Sequence, residues 1–507
     1  MTSYAGRRRV PPRASAMIEA LRGLGYTTGT ALADIIDNSI SAGARQVDVA
    51  FGWAGHDSWV SVLDDGSGMG DAELESAMRL GDRNPLHARA EGDLGRFGLG
   101  LKTASFSQCR RLTVSSWTLT ESTCLRWDLD ALAAELDGGW DLLEGTAPGS
   151  ESRAAVSDRR PTGTLVLWEV LDRVVTRGAT EQDFLDLIDR VERHLAMVFH
   201  RYLDGSGERL QITINGRPIG PWDPFLSTHP ATWSSPIVRL SSAHGPIVLQ
   251  GYVLPHRDRL DGKQFEIAAG PDGWTAQQGF YVYRNRRLLL AGSWLGLGRG
   301  RPWTKEEPYR LARIRLDIPN SADAEWKIDI RKSTARPPVS VREGVIRLAE
   351  DIRERARRVF AHRGQPMRRG QNEPLAQAWL ADHFPGGVRY RVYREHPVVR
   401  AVMEEAGSLS PRIEAMLRVL EETIPVQRIW LDTAEKSETP RTGFADQPPA
   451  EVHKVLEILY RNMVLRKGMS PDGARKQLLQ TEPFNLHPEL VNALPDLAAD
   501  QGEQASC

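Results

Sequence analysis

The chain has 507 residues, enough for two to four domains with sizeable cores. Hydrophobic content of 41%, charged content of 26% and a net charge of −1 fit a soluble globular protein. They exclude a global basic field that draws in nucleic acid and leave room for a local one. No apolar run reaches membrane-spanning length, and Met1 to Arg13 lacks the apolar core of a secretion signal. Cys109, Cys124 and Cys507 are scattered and odd in number, with neither a disulfide framework nor metal-ligand spacing, which fits a reducing cytoplasm. Lysine occurs only nine times, so a lysine inside a motif is less a default surface charge.

Residues 1–12, with Arg7-Arg8-Arg9 and Pro11-Pro12, read as a solvated arm. Residues 13–26 suit a short helix. The next stretch, Ala31 to Ala44, places Leu32, Ile35, Ile36 and Ile40 at helical spacing, so one face is expected in a core. Asp34 and Asn38 lie four apart, one turn above the other. Such a carboxylate can orient or deprotonate a water, and such an amide oxygen can ligate a hard cation; a merely solvated pair is the bland alternative. Gln46 to Phe51 and Ser58 to Leu63 read as strands, and the second runs into Asp64-Asp-Gly66-Ser-Gly68. Asp71 to Leu80 is helical. Gly81 to Asp93 is a polar, charged loop. Gly95-Arg96-Phe97-Gly98-Leu99-Gly100-Leu101-Lys102 then leads into a helix expected from about Leu99 to Gln108. Leu112 to Trp117 and Cys124 to Leu129 are strand-like, residues 133–162 loop out, and Gly163-Thr164 opens another strand. Phe184 to Phe199 carries one apolar stripe of helical period. A sheet covered by helices follows, an α+β class with an α/β sandwich at its N-terminal end.

Four motifs in this order, Asp34/Asn38, DxGxG at Asp64, GxxGxG at Gly95 and the Gly163-Thr164 strand, resemble the GHKL ATPases. These include gyrase B subunits, MutL, MORC proteins, ninety-kilodalton heat-shock chaperones and sensor histidine kinases. The resemblance implies a Bergerat ATP-binding fold over residues 13–205, with ATP and Mg²⁺ as cofactors. It implies that Asp34 is the general base, that Asn38 carries Mg²⁺, and that Asp64 accepts the adenine amino group. Gly66, Gly68 and Met69 would line the adenine end, with Thr164 on the sheet floor. The Gly95–Leu101 run would present backbone N–H groups to phosphates. Lys102, in a first helical turn where cations are disfavoured, is expected to meet an anion. Gly81 to Asp93 would form a mobile lid. Relatives of this type carry Glu where this chain has Asp34, so slow turnover is expected.

Leu210 to Gly216 is read as opening a second region, residues 206–362, with strands at Ile247–Leu254, Gly279–Arg284 and Ile314–Ile318. Gly279-Phe-Tyr-Val-Tyr-Arg-Asn-Arg-Arg-Leu-Leu-Leu290 resembles a strand of the transducer-like domain of MORC and MutL relatives. In that resemblance Lys332, with Lys327 second, is the lysine that reaches the γ-phosphate. Sensor histidine kinases lack this domain. Val345, Leu348, Ile352, Ala356 and Val359 mark a closing helix packed on its own domain. A linker, residues 363–373, leads to a mainly helical region, 374–507. There Ser410-Pro411 is expected to cap a helix whose Ile413, Met416, Leu417 and Leu420 share one face, and Ser470-Pro471 starts another. The resemblance implies an ATP-driven conformational switch of bacterial MORC/MutL type, a homodimer when ATP-bound. It would act on DNA or a partner protein in repair, restriction or phage defence. A chaperone-like clamp and an ATP sensor with little or no hydrolysis are the alternatives.

Overall fold

The computed structural model describes residues 12–81, 100–134, 139–155, 160–205, 210–322, 325–328, 334–361, 376–384, 387–429 and 449–497. The expected arm (apart from Pro12), nearly all of the lid, Gly95 to Leu99, Lys332 and the 363–373 linker lie outside them. The chain divides into two compact units, residues 1–365 and 366–507.

The first unit holds two sheets. In chain order its opening elements are α1 (Ala14–Arg22), α2 (Thr28–Ser41), β1 (Gln46–Gly52), β2 (Trp59–Asp64), α3 (Asp71–Met78) and α4 (Gly100–Phe106). β3 (Arg111–Trp117), β4 (Ser122–Asp128), α5 (Leu129–Ala134), β5 (Leu143–Glu144), α6 (Glu151–Ala154) and β6 (Gly163–Glu169) follow. The sheet closes with α7 (Glu181–Val198), α8 (His200–Leu203), β7 (Gln211–Ile214) and β8 (Arg217–Pro218). Its eight strands run in the order β5-β4-β3-β6-β2-β1-β7-β8. Every neighbouring pair is antiparallel except β1 with β7, which is parallel.

Periodicity explains the packing. β1 buries Val47, Val49 and Phe51 and leaves the alternate residues half-exposed. α2 buries Leu32, Ile35 and Ile36 in the same core, with Val60, Val62, Val114 and Trp168 from the sheet and Leu195 and Val198 from α7. β6, between β3 and β2, is buried along its whole length. Residues 133–162, expected as loop, contain the short β5 and α6.

One boundary differs from the sequence reading. Leu210 to Gly216 does not open the second sheet: β7 and β8 complete the first, with Gln211 opposite Gln46 and Ile214 opposite Val49. Alternation marks a strand but says nothing about its neighbour. Here the neighbour is β1, reached across α7, as a parallel pairing requires.

The second sheet follows with β9 (Trp233–Ser234), β10 (Val238–Ser242), β11 (Gly245–Val253), α9 (Gly262–Ala269), α10 (Gly273–Ala276), β12 (Gly279–Arg284), β13 (Arg287–Ser293), β14 (Ala312–Ile318) and α11 (Val339–Ala361). Its order is β10-β11-β14-β12-β13, with β9 beside β11. α11 packs Val345, Ile346, Ala349, Ile352 and Ala356 on this sheet, the own-domain helix expected from its pattern. The two sheets meet through Met197 of α7, Phe225, Tyr252, Tyr281, Tyr283 and Leu288. Polar contacts cross there too: His200 Nε2 and the Tyr283 hydroxyl are 2.7 Å apart, and Arg201 pairs with Asp317. Burial pushes the His200 imidazole down to about 4, so it is neutral at ordinary pH.

The second unit is less helical than expected. Trp379–Phe384 and Gly387–Val392 form an antiparallel hairpin. Helices span Pro397–Glu405, Ser410–Glu422, Ala450–Arg461, Pro471–Leu478 and Pro488–Asn492. Leu456, Leu459, Tyr460, Met463, Leu478 and Phe484 build its core. Ser470 caps its helix through Gly473 N at 3.2 Å, as expected. Ser410 does not cap: it lies inside its helix, behind Leu409. The apolar face of that helix also stays outside, with Met416 54% and Leu420 53% exposed. Arg394 anchors the helix instead, donating to Glu414 at 2.8 and 3.0 Å and to Glu421 at 2.8 Å.

Candidate nucleotide site

The site is built on α2. Its start is fixed by reciprocal bonds: the Thr27 hydroxyl accepts from Thr30 N at 3.2 Å, and Thr30 Oγ1 accepts from Thr27 N at 2.9 Å. From that start the helical period sets Asp34, Asp37, Asn38 and Ser39 at fixed angles. Asp34 is 8% exposed, Asp37 is 1% exposed, and Asn38 faces solvent one turn beyond Asp34.

Two clusters form along this helix. At its C-terminal half, Asp64 ends β2 with its carboxylate buried beneath α2. Ser39 Oγ donates to Asp64 Oδ2 at 2.7 Å, and Gly66 N donates to Oδ1 at 2.9 Å. Burial pushes the Asp64 carboxyl above its ordinary range, and bonds from Ser39 and the Gly66 and Thr164 backbones only partly offset it. Asp64 pairs in register with Thr164 of β6. The Thr164 hydroxyl shares a 2.9 Å hydrogen bond with Ser116 Oγ, which also accepts from Met69 N at 2.8 Å. The DxGxG glycines allow this fit. Gly68 has φ 69°, and a Cβ there would come 1.9 Å from Trp117 O.

At the N-terminal half stands Asp34. The Tyr26 hydroxyl donates to its Oδ2 at 3.0 Å. Arg287, the first residue of β13 in the second sheet, brings Nη2 within 3.6 Å of Oδ1. Arg287 Nε donates to both oxygens of Asp37 at 3.1 Å. Gly100 lies alongside: a Cβ there would sit 3.9 Å from Asp34 Oδ2. The end of the GxxGxG run and the acidic helix are therefore neighbours. A cleft of about 230 Å³ opens here, lined by Thr30, Asp34, His194, Arg287, Leu289 and Ala291 among others.

Lys102 reaches back to the end of α3. It is 3% exposed, and its Nζ donates to Ala77 O at 2.8 Å and Arg79 O at 2.9 Å. These carbonyls lie at the C-terminal end of α3, where a cation is favoured. Leu101 is half-buried against the core. Lys327, the second choice for the γ-phosphate lysine, is exposed with φ 51°.

Sequence reasoning missed Tyr26, Ser39, Ser116 and Arg287. Ser39 was within reach, since it adjoins Asn38 on the motif helix. Arg287 stands next to Asn285-Arg286 in a run singled out for its resemblance, but only the fold decides which arginine turns to α2. Tyr26 and Ser116 carry no local signal.

The arrangement can hold a flat donor-bearing group against Asp64 and a polyanion near Asn38 and Gly100, with a carboxylate at its far end. No curated protein matches the chain. Residues 26–158, from Tyr26 through β5 and α6, match the family described as "Histidine kinase-, DNA gyrase B-, and HSP90-like ATPase". The match takes in all of α2, Asp64 and Gly66 and ends before Thr164 and Arg287; the chain thus carries an ATP-binding domain of the GHKL ATPase superfamily.

Proposed function

We propose that the protein is a Mg²⁺-ATP-dependent conformational switch of MORC/MutL type that hydrolyses ATP slowly. The observation that carries this reading is the buried Asp34 on α2, between the Tyr26 hydroxyl and the guanidinium of Arg287 from the second sheet. Adenine binds against Asp64, whose carboxylate accepts from the exocyclic amine, with Thr164 and Ser116 on the sheet floor. The phosphates run toward Gly100. Among the described residues no cluster of three or more His, Cys, Asp or Glu could hold a metal alone. Asn38, exposed on α2, would be the protein ligand of Mg²⁺, which when bound would supply neutralising charge for the phosphates. Asp34 takes a proton from a water, the water oxygen bonds to the γ-phosphorus, and the bond to the β–γ bridging oxygen breaks to leave ADP and phosphate. Asp is one methylene shorter than Glu, so reaching that water within about 3 Å is harder and turnover is slow.

Because Arg287 joins the second sheet to α2, nucleotide occupancy on α2 is felt by the second sheet, which passes it to a partner or DNA. N-terminal closure or dimerisation accompanies ATP. Turnover of the full-length protein with Mg²⁺, with and without DNA at modest salt, is the test. A chain without turnover fails the reading, and DNA stimulation that fades with salt supports a DNA client. Scattering mass with a non-hydrolysable analogue tests dimerisation. One observation favours a second reading, an ATP sensor: Asp34 Oδ2 is already occupied by Tyr26. Tight ATP binding without turnover would identify the sensor.

A further inference from the structure

Arg287 is 5% exposed, and its guanidinium is fixed from two sides. Nε lies 3.1 Å from both oxygens of Asp37, and Nη1 donates to Leu288 O at 2.7 Å. These contacts satisfy a structural ion pair between β13 and α2. They also leave Nη2 pointing at Asp34 Oδ1, at 3.6 Å, a contact that the ion pair does not need. The other Asp34 oxygen takes the Tyr26 hydroxyl at 3.0 Å. The two oxygens of one carboxylate thus face donors of different origin, a phenol from the segment before α2 and a guanidinium from the other sheet. The cleft is lined by both Asp34 and Arg287.

We propose that Arg287 is a positioning residue for ATP hydrolysis: it holds the Asp34 carboxylate toward the attacking water, and it makes that orientation depend on the placement of the second sheet. This rests on the reading of Asp34 as the base. A planar guanidinium fixed at Nε and Nη1 has one direction left for Nη2. Charge-assisted hydrogen bonds are made at about 2.7–2.9 Å, so a slide of β13 along α2 toward Asp34 by less than about 1 Å, with the Asp37 pair kept, would convert the 3.6 Å approach into a direct bond. A similar shift away would release it. The second sheet therefore gates the base through geometry alone. A shorter acidic side chain, with less reach of its own, depends more on such a donor.

The test uses the full-length chain, with steady-state turnover, calorimetric ATP binding and thermal unfolding on each variant. Arg287→Gln is expected to lower kcat about 10- to 100-fold while KM and ATP affinity stay within about twofold. Arg287→Lys keeps the charge without the fork and should recover part of the loss. Arg287→Gln strands the buried Asp37 carboxylate, so the double variant Asp37→Asn/Arg287→Gln separates folding from positioning. It should regain unfolding temperature without regaining kcat. Recovery of kcat together with stability would overturn the inference, because Arg287 would then matter only to the fold. Parental kcat in folded Arg287→Gln, beside an inactive Asp34→Ala, would overturn this inference alone. Parental turnover in Asp34→Ala would overturn the base assignment and this inference with it.

Discussion

The two ends of the nucleotide site are made differently. The Asp64 end belongs to the first sheet and the helix over it: Asp64, Ser39, Gly66, Thr164 and Ser116 come from β2 and the turn after it, α2, β6 and β3, and hold one another by short bonds. The Asp34 end is assembled from separate places, with Tyr26 from before α2, Gly100 from α4 and Arg287 from the second sheet. The first end is ready before ligand arrives. The second depends on how two sheets meet, and it is the end where regulation can enter.

The largest effect should come from the assembled end. Asp34→Ala is expected to lower ATP turnover by at least about 100-fold, the usual worth of a general base, and to leave calorimetric ATP affinity nearly unchanged. Loss of binding together with turnover would merge the two ends into one. Next is the junction that carries Arg287. His200 titrates near 4 in the folded chain against 6.5 unfolded. The unfolded state therefore binds the extra proton first, so this stability is full above pH 6.5 and fades as pH falls through 4. The whole shift is worth about 3 kcal/mol. Denaturant unfolding from pH 7 to 4 should show that slope, and His200→Gln should remove this share of it, leaving the share of His194, which burial also pushes down to about 4.

The preformed end is probed by binding. Asp64→Asn places a donor where the adenine amine donates and should cost about 2–3 kcal/mol of ATP affinity by calorimetry. Turnover at saturating ATP should suffer less, the reverse of Asp34→Ala. The smallest effect belongs to Ser116→Ala, which removes one hydroxyl beneath Thr164 and Met69. About 1 kcal/mol of ATP affinity or thermal stability is expected to go with it. An effect as large as that of Asp64→Asn would mean the sheet floor contributes as much as the carboxylate.

The same contrast explains what could be read from the chain. Much of the Asp64 end is local: a strand, a DxGxG turn and a helix with Leu32, Ile35 and Ile36 on one side are visible as periods and spacings, and only Ser116 beneath Thr164 is not. The Asp34 side chain was visible too, but its neighbours were not, because Arg287 is brought to it only by the meeting of two sheets. Lys102 shows the limit of a first-turn argument. A cation there calls for a negative partner, and the carbonyl end of α3 supplies two acceptors that no spacing in the sequence announces. The helix Ser410–Glu422 shows a second limit: its apolar residues share one face as read, yet Met416 and Leu420 stay exposed and Arg394 holds the helix by Glu414 and Glu421. Periodicity reports which face is apolar and leaves open what covers it.

The parallel pairing of β7 with β1 has a consequence for how the chain is made and cut. Val47 and Ile212 are register partners, yet most of the first sheet lies between them in sequence. During synthesis the β1 edge waits, unpaired, until α7 has formed and β7 has followed it; such long-range pairing is slow and exposes edges meanwhile. A fragment ended at residue 205 would keep that condition permanently, with the backbone of Val47 to Val49 open to any passing strand. Extending the fragment through Pro218 restores both β7 and β8. A fragment that keeps the first sheet whole therefore ends at the far side of Arg217–Pro218, about a dozen residues beyond the boundary that its helices suggest.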